Sequence, residues 1–161
     1  VFVRIHPVLL SIFLSIFAIV TITSFFTVLP AEDPNLPLTL IHVKNGTDLI
    51  GRLLTFFPAP FGRPQSLLFA VIGRFLLLPV FLFYAFGNTF VSDAFAITLV
   101  AVSAVISGYL NTSAFIIAAK LVKPNEKSSA TGFVNVSFQG AVLLSVGFAF
   151  AILSAVTAAA R

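Results

Sequence analysis

The chain has 161 residues, of which 59% are hydrophobic and only 9% charged, and its mean hydropathy is +1.12. A soluble globular domain averages about 45–50% apolar and about 25% charged residues, so this composition excludes water as the main solvent, and the length leaves no room for a separate soluble domain. The net charge of +4 rests on nine scattered Lys and Arg residues that form no continuous patch, which argues against a nucleic-acid partner; with no cysteine, disulfides and thiolate metal sites are excluded.

A hydrocarbon core about 30 Å thick takes roughly 20 apolar residues per helical crossing, so the length suits about five crossings. The first, 7–29, is rich in Leu, Ile, Phe and Val and carries no charge. Val1 stands where a start methionine would, and the chain enters this segment directly behind Arg4, so the natural start is expected upstream. The segment is too long for a signal-peptide core and lacks a small-residue cleavage pattern, so it reads as a span that is retained. Pro30, Glu32, Asp33 and Pro34 end it. The second span, 36–56, contains Lys44, Asp48 and Arg52. A Pro/Gly segment at 58–64 makes the next turn, and the third span, 66–86, holds Arg74 and a Pro79 expected to kink it. A short turn at Gly87 and Asn88 leads to the fourth span, 93–121; a charged loop at 120–127 precedes the fifth, 130–160. No repeat or low-complexity tract appears. The expected fold is an all-α membrane protein, a bundle of five transmembrane helices.

Loop charges set the expected orientation. Arg4, Arg63, Lys120, Lys123 and Lys127 fall on one side, and Glu32, Asp33 and Asp93 on the other, which puts the N-terminus in the cytoplasm. His6 and His42 are too far apart in sequence for a short-spaced metal pair and read as interfacial or hydrogen-bonded histidines. Asn45-Gly46-Thr47, Asn111-Thr112-Ser113 and Asn135-Val136-Ser137 match the glycosylation pattern, yet all lie in or beside apolar spans and read as chance matches.

The second span is the unusual one. Lys44, Asp48 and Arg52 recur every four residues, so a helix lines them up in one stripe about 12 Å long with Asn45 beside it. Ionised groups at a bilayer centre cost several kcal/mol unless they face the bundle interior or a watery cavity, so the stripe should face inward. Two readings stand side by side: a structural Asp48–Arg52 ion pair across one turn, and a polar site on a solute or ion path. Arg supplies a planar fork of donors and Asp two acceptor oxygens, which suits vicinal hydroxyls or the polar edge of a base. Arg74, on the cytoplasmic side of the third span, is expected to act structurally with its side chain snorkelling to the interface. The phenylalanines read as lipid-facing or interhelical packing, and Gly108, Gly132, Gly140 and Gly147 as points of close helix approach. No metal-ligand cluster, Cys nucleophile or Ser/His/acid arrangement suggests an enzyme, and no cofactor is implied. A non-transporting membrane subunit, whose charged stripe docks a partner's helix, is the alternative to a transporter.

Several stretches in order resemble the equilibrative nucleoside transporter family. Asn45-Gly46-Thr47-Asp48-Leu49-Ile50-Gly51-Arg52 is similar to the family's eighth helix, in which the Asp and Arg line the permeant cavity. Arg74 followed by Pro79 resembles the ninth helix, Ser107-Gly108-Tyr109-Leu110 the Asn-Gly-Tyr-Leu of the tenth, and Val122-Lys123-Pro124-Asn125-Glu126 the basic loop before the last. The resemblance covers nearly the whole chain and implies helices seven to eleven of an eleven-helix transporter. It implies one half of a fold similar to the major facilitator architecture, completed by a six-helix N-terminal half. It implies a nucleoside or nucleobase permeant held between the halves by Asp48 and Arg52, with Asn45 in support, in a multi-pass protein of the plasma membrane or an internal membrane. The family includes both simple facilitators and proton-coupled members. Three positions depart from its pattern: Leu29 stands where many members have Phe, Ser107 replaces Asn, and Lys44 is commonly apolar or aromatic. These bear on permeant preference, and with Arg74 and Gly108 they are candidates for cavity lining or helix packing.

Overall fold

A computed structural model describes residues 1–29, 31–57, 63–86 and 92–159. Pro30, most of the expected turn at 58–64, the turn at Gly87 and Asn88, and the last two positions of the chain lie outside the described residues. The helices are α1 (Phe2–Ser24), α2 (Leu36–Leu53), α3 (Pro64–Phe75), α4 (Leu77–Phe86), α5 (Asp93–Leu121) and α6 (Lys127–Ala159), and among the described residues there is no strand. The protein is an all-α, multi-pass membrane protein. Four helical stretches, Phe2–Val28, Pro64–Phe86, Asp93–Leu121 and Pro124–Ala158, are long and apolar enough to cross a membrane. α2, with 18 residues, is shorter and carries Lys44, Asp48 and Arg52, which keep its mean apolarity below theirs.

Local chemistry explains where the elements start, bend and stop. α1 begins at Phe2 and runs through Pro7. Proline has no N–H for the Val3 carbonyl one turn back, but His6 Nδ1 lies 2.8 Å from that oxygen and supplies the missing donor. The sequence reading started the span at Pro7; the helix begins five residues earlier, at Phe2. A short 3-10 turn, Phe26–Val28, ends the stretch. In the third span the expected kink appears as a break: α3 ends at Phe75, whose carbonyl is the one Pro79 cannot bond, and α4 resumes at Leu77. The Leu76 N–H turns back to Gly73 O at 3.3 Å, the tighter spacing typical of a helix end. α5 is capped by Ser92, whose Oγ accepts from the Phe95 N–H at 3.4 Å.

α5 is the hub. It packs along α2 on one side and against α1, α3 and α6 on others, while α1 also packs against α6 and α3. Buried side chains fall into two clusters, one at each end of the bundle. The first joins Ile5, Val8 and Ile12 of α1 to Leu67 and Val71 of α3, Leu110 and Ala114 of α5, and Val134 and Ala141 of α6. The second joins Phe25, Phe26 and Leu29 to Leu36 and Leu40 of α2, Phe81 and Tyr84 of α4, and Ala96 and Val100 of α5. Phe17 bridges the two, ringed by Phe13, Phe75 and Phe148 at centroid distances of 6.3, 6.3 and 5.4 Å. Lipid tails are as apolar as these side chains, so close packing and polar contacts, more than expulsion of water, hold the helices together.

Each end is tied by polar groups. At one, the Asp93 carboxylate accepts from the backbone N–H of Glu32 (3.0 Å) and Asp33 (2.8 Å), stapling the α1–α2 connection to the start of α5, and Asp33 Oδ1 accepts from the Asn35 N–H at 2.8 Å. Tyr84 Oη donates to the Ser92 carbonyl at 3.0 Å alongside. At the other end, Arg4 approaches Glu126 at 3.8 Å, and Glu126 Oε2 accepts from the Lys123 N–H at 3.1 Å. Glu32, Asp33 and Asp93 thus gather at one end, and Arg4 and Lys123 at the other, together with Glu126. Asp93→Ala removes both staple bonds; at about 1.5–3 kcal/mol for a hydrogen bond to a charged group, it should lower the thermal midpoint of the detergent-solubilised protein by several degrees. Asp93→Asn, keeping acceptor capacity, should lose less. Equal midpoints for Asp93→Ala and the parent would refute the staple.

Candidate permeant site

The site is built where α2 meets α5. A methyl group placed on Gly51 would run into the Val105 carbonyl oxygen of α5, and one on Gly108 would run into the Asp48 carbonyl oxygen of α2, with Tyr109 N and Arg52 N close behind. The two glycines face each other across the crossing and let the backbones touch, a contact open only to residues without a Cβ. Gly108 therefore does what its sequence suggested. Gly132, Gly140 and Gly147, expected to do the same, have no such neighbour within 4 Å, and Gly51, read only as part of a motif, is the true counterpart.

Because Gly108 rests on the backbone of Asp48 and Arg52, the turn carrying both is fixed against the hub helix. Arg52 Nε donates to Asp48 Oδ2 at 2.7 Å across that turn; the Arg side chain remains 59% exposed and the Asp 22% exposed. The pair is therefore not sealed in a dry interface. One bond leaves the terminal nitrogens of Arg52 and Asp48 Oδ1 without a side-chain partner among the described residues, so both retain capacity for a solute. Arg52 lines a cleft of about 280 Å³ together with Asn111, Thr112 and Phe115 of α5 and Asn135, Phe138 and Gln139 of α6. The cleft is open, and it is the most polar of the described clefts.

Other candidates are placed differently. Ser107 is buried, and its Oγ accepts from Asn111 Nδ2 at 3.2 Å, so it orients a cleft residue from behind. Asn45 is exposed and Lys44 half-buried; neither makes a side-chain hydrogen bond or ion pair among the described residues, and neither lines the cleft. Leu29 is packed in the second core, also away from the cleft.

Arg74 corrects the sequence reading. It does not snorkel: only 5% of it is exposed, and its guanidinium turns into the bundle, where Nη1 donates to Ser15 O (3.1 Å) and Ser15 Oγ (2.8 Å) and Nη2 to Ser103 Oγ (3.5 Å). Ten residues separate it from the start of α3 at Pro64, about 15 Å along the axis or half a hydrocarbon core, too deep to reach the interface easily. Its role is structural in another sense, since it cross-links α1, α3 and α5. Asp48 is the carboxylate that acts on it electrostatically and partly offsets the buried charge.

The residues that sequence reasoning missed are Asn111, Asn135 and Gln139. Two of them had been noticed only as chance glycosylation matches. The available signal was an amide pair at i, i+4 in α6, Asn135 and Gln139, within a helix otherwise almost wholly apolar through its middle.

The structure is a bundle of apolar helices in which Arg52, paired with Asp48, and three amides line an open polar cleft. A family model described as nucleoside transporter matches residues 1–156, and the chain belongs to that family. It is a family of transporters rather than enzymes, which establishes nucleosides as the permeant class and a membrane as the setting. Searches among curated proteins and among solved structures returned no match.

The glycine contact makes a sharp forecast. Gly108→Ala and Gly51→Ala should each destabilise the bundle by about 1–3 kcal/mol, as overpacking does, and reduce nucleoside uptake by displacing Asp48 and Arg52. Gly132→Ala, with open space around it, should change neither. Thermal melts and uptake by the intact protein carrying each variant test this, and a silent Gly108→Ala would show that the helices do not touch there.

Proposed function

We propose that the intact protein moves nucleosides or nucleobases across a membrane by alternating access, and that this chain supplies helices seven to eleven, closing on a six-helix companion half. The observation that carries the reading is the Asp48–Arg52 pair, held at 2.7 Å in a turn that opens on a polar cleft. At mid-membrane depth an exposed guanidinium is costly unless water, a permeant or a facing protein surface receives it. A polar cleft that lies open is what half of a two-part site looks like, and a volume of about 280 Å³ lies near the lower limit for small-molecule sites, about 300 Å³.

In this reading Arg52 donates through its terminal nitrogens to the ribose or the base, and Asp48 accepts from a vicinal hydroxyl through Oδ1. Asn45, outside the cleft, supports the site from the face turned toward the companion half. The acid does not leave the arginine on binding; the ion pair keeps both side chains aimed, so little ordering remains for the permeant to impose. Rocking of one half against the other then exposes the midplane site to each side in turn. The end bearing Arg4, Lys120, Lys123 and Lys127 is cytoplasmic, as the excess of basic loop residues there supports.

Asp48→Asn and Arg52→Lys should each lower kcat/KM for uptake by the intact protein at least tenfold, about 1.4 kcal/mol of lost stabilisation, with normal amounts of folded protein. Liposomes holding residues 1–161 alone should show no nucleoside flux. If either substitution left uptake intact while preventing assembly with a partner, the charged stripe would be a docking element and the transport site would lie elsewhere.

A further inference from the structure

The cleft has two chemically distinct walls. α2 contributes Arg52, whose Nε is bonded to Asp48 one turn back, just outside the lining; α5 and α6 contribute Asn111, Asn135 and Gln139, with Phe115 and Phe138 on the same side. Asn135 and Gln139 lie one turn apart on α6, about 12 and 18 Å from its start at Lys127, so both sit near the middle of a hydrocarbon core. Both are exposed in this chain, and neither makes a side-chain hydrogen bond among the described residues. Two unpaired amides at that depth cannot face lipid without a large desolvation cost, so their face meets water, a solute or the companion half. Asn111 is held differently: Nδ2 donates to Ser107 Oγ, which leaves Oδ1 buried and without a partner. A buried acceptor left without a partner beside a polar cleft is rare in a folded protein and marks Asn111 as a residue with unused hydrogen-bonding capacity.

Resting on the transport reading above, we infer that Asn111, Asn135 and Gln139 read the nucleobase, while Asp48 and Arg52 hold the sugar. A carboxamide presents a donor and an acceptor side by side in one plane, the arrangement that matches the adjacent donor and acceptor on the edge of an adenine or cytosine ring. The sugar offers hydroxyls that donate and accept in any direction, which the charged pair meets better. Phe115 and Phe138 supply apolar surface for a flat ring, as aromatic side chains do wherever bases are held without regard to sequence. The substrate class this wall selects is a nucleoside whose base carries an exocyclic amino group next to a ring nitrogen. A site built to hydrogen-bond such a group discriminates strongly against an analogue lacking it, because the amides are then left unpaired.

The test uses the intact transporter in proteoliposomes and inhibition of labelled adenosine or cytidine uptake by matched pairs: adenosine with purine riboside, and cytidine with pyrimidin-2-one riboside, each second member lacking only the exocyclic amino group. The parent protein should favour the amino-bearing member of at least one pair by tenfold or more. Asn135→Leu and Gln139→Leu should cut that preference to within about threefold while leaving the preference for ribose over 2′-deoxyribose unchanged. Asp48→Asn should do the reverse. Gln139→Glu, which keeps the shape and removes the donor, guards against a leucine variant that does not fold and should also lose the base preference. A parent without base preference, or amide variants that weaken every competitor by one common factor, would overturn the base-reading role and leave the transport reading standing. Absence of uptake of either nucleoside by the intact parent would overturn both.

Discussion

The arrangement of this molecule depends on two backbones touching. Where Gly51 meets Gly108, α2 lies against α5 with no side chain between them, and that contact sets the height and rotation of the turn bearing Asp48 and Arg52. In a bilayer the hydrophobic effect gives no reason for one apolar helix to prefer another, so small residues that allow dense packing become the principal means of fixing a helix in place. α2 needs this more than the other helices do. Of its residues only Leu36, Leu40 and Gly51 are buried, so it lies at the margin of the bundle and relies on α5 for support.

Behind that contact, the buried guanidinium of Arg74 joins α1, α3 and α5 through two serines. Such a group has no stabilising value in isolation, because the cost of removing it from water offsets most of what its bonds return. Its value lies in direction: hydrogen bonds specify distance and angle in a way that leucine against leucine does not. The three-helix junction and the glycine crossing between them fix α5 against its neighbours, so the cleft opens from a stiff wall on the α5 side. α6, by contrast, packs mostly on α1 and meets α5 less closely, so Asn135 and Gln139 are less tightly tied to α2 than Asn111 is.

The sequence was most informative where the signal is local. Apolar runs, the i, i+4 spacing of Asp48 and Arg52 and the kink expected from Pro79 are all properties of consecutive residues; the helices follow the apolar runs, with α1 starting at Phe2 ahead of the expected Pro7, and the kink takes the form of a break at Leu76. What escaped was relational. Nothing near Arg74 in the chain says that Ser15 and Ser103 are its acceptors, because they lie 59 and 29 residues away, and a lone arginine in a span reads equally as a snorkelling one. Asn111, Asn135 and Gln139 are neutral, so an argument built on the cost of charge passed over them, and their coincidence with a modification pattern supplied a ready dismissal. Gly132, Gly140 and Gly147 failed the opposite way: a small residue permits close approach, but only the neighbouring helix decides whether it happens.

The interruption at Leu76 also bears on how the bundle can move. In a continuous helix, changing direction midway breaks backbone bonds that lipid cannot replace. Here the Phe75 carbonyl has already lost its i+4 donor to Pro79, so the two rods of the third span can swivel at this joint without sacrificing another bond. The rod that carries Arg74 stays anchored to α1 and α5, and the rod beyond it, with Phe81 and Tyr84 in the other cluster, can follow a different trajectory. Deformation within this bundle is therefore channelled to one articulated spoke at the rim, which spares the geometry at its centre.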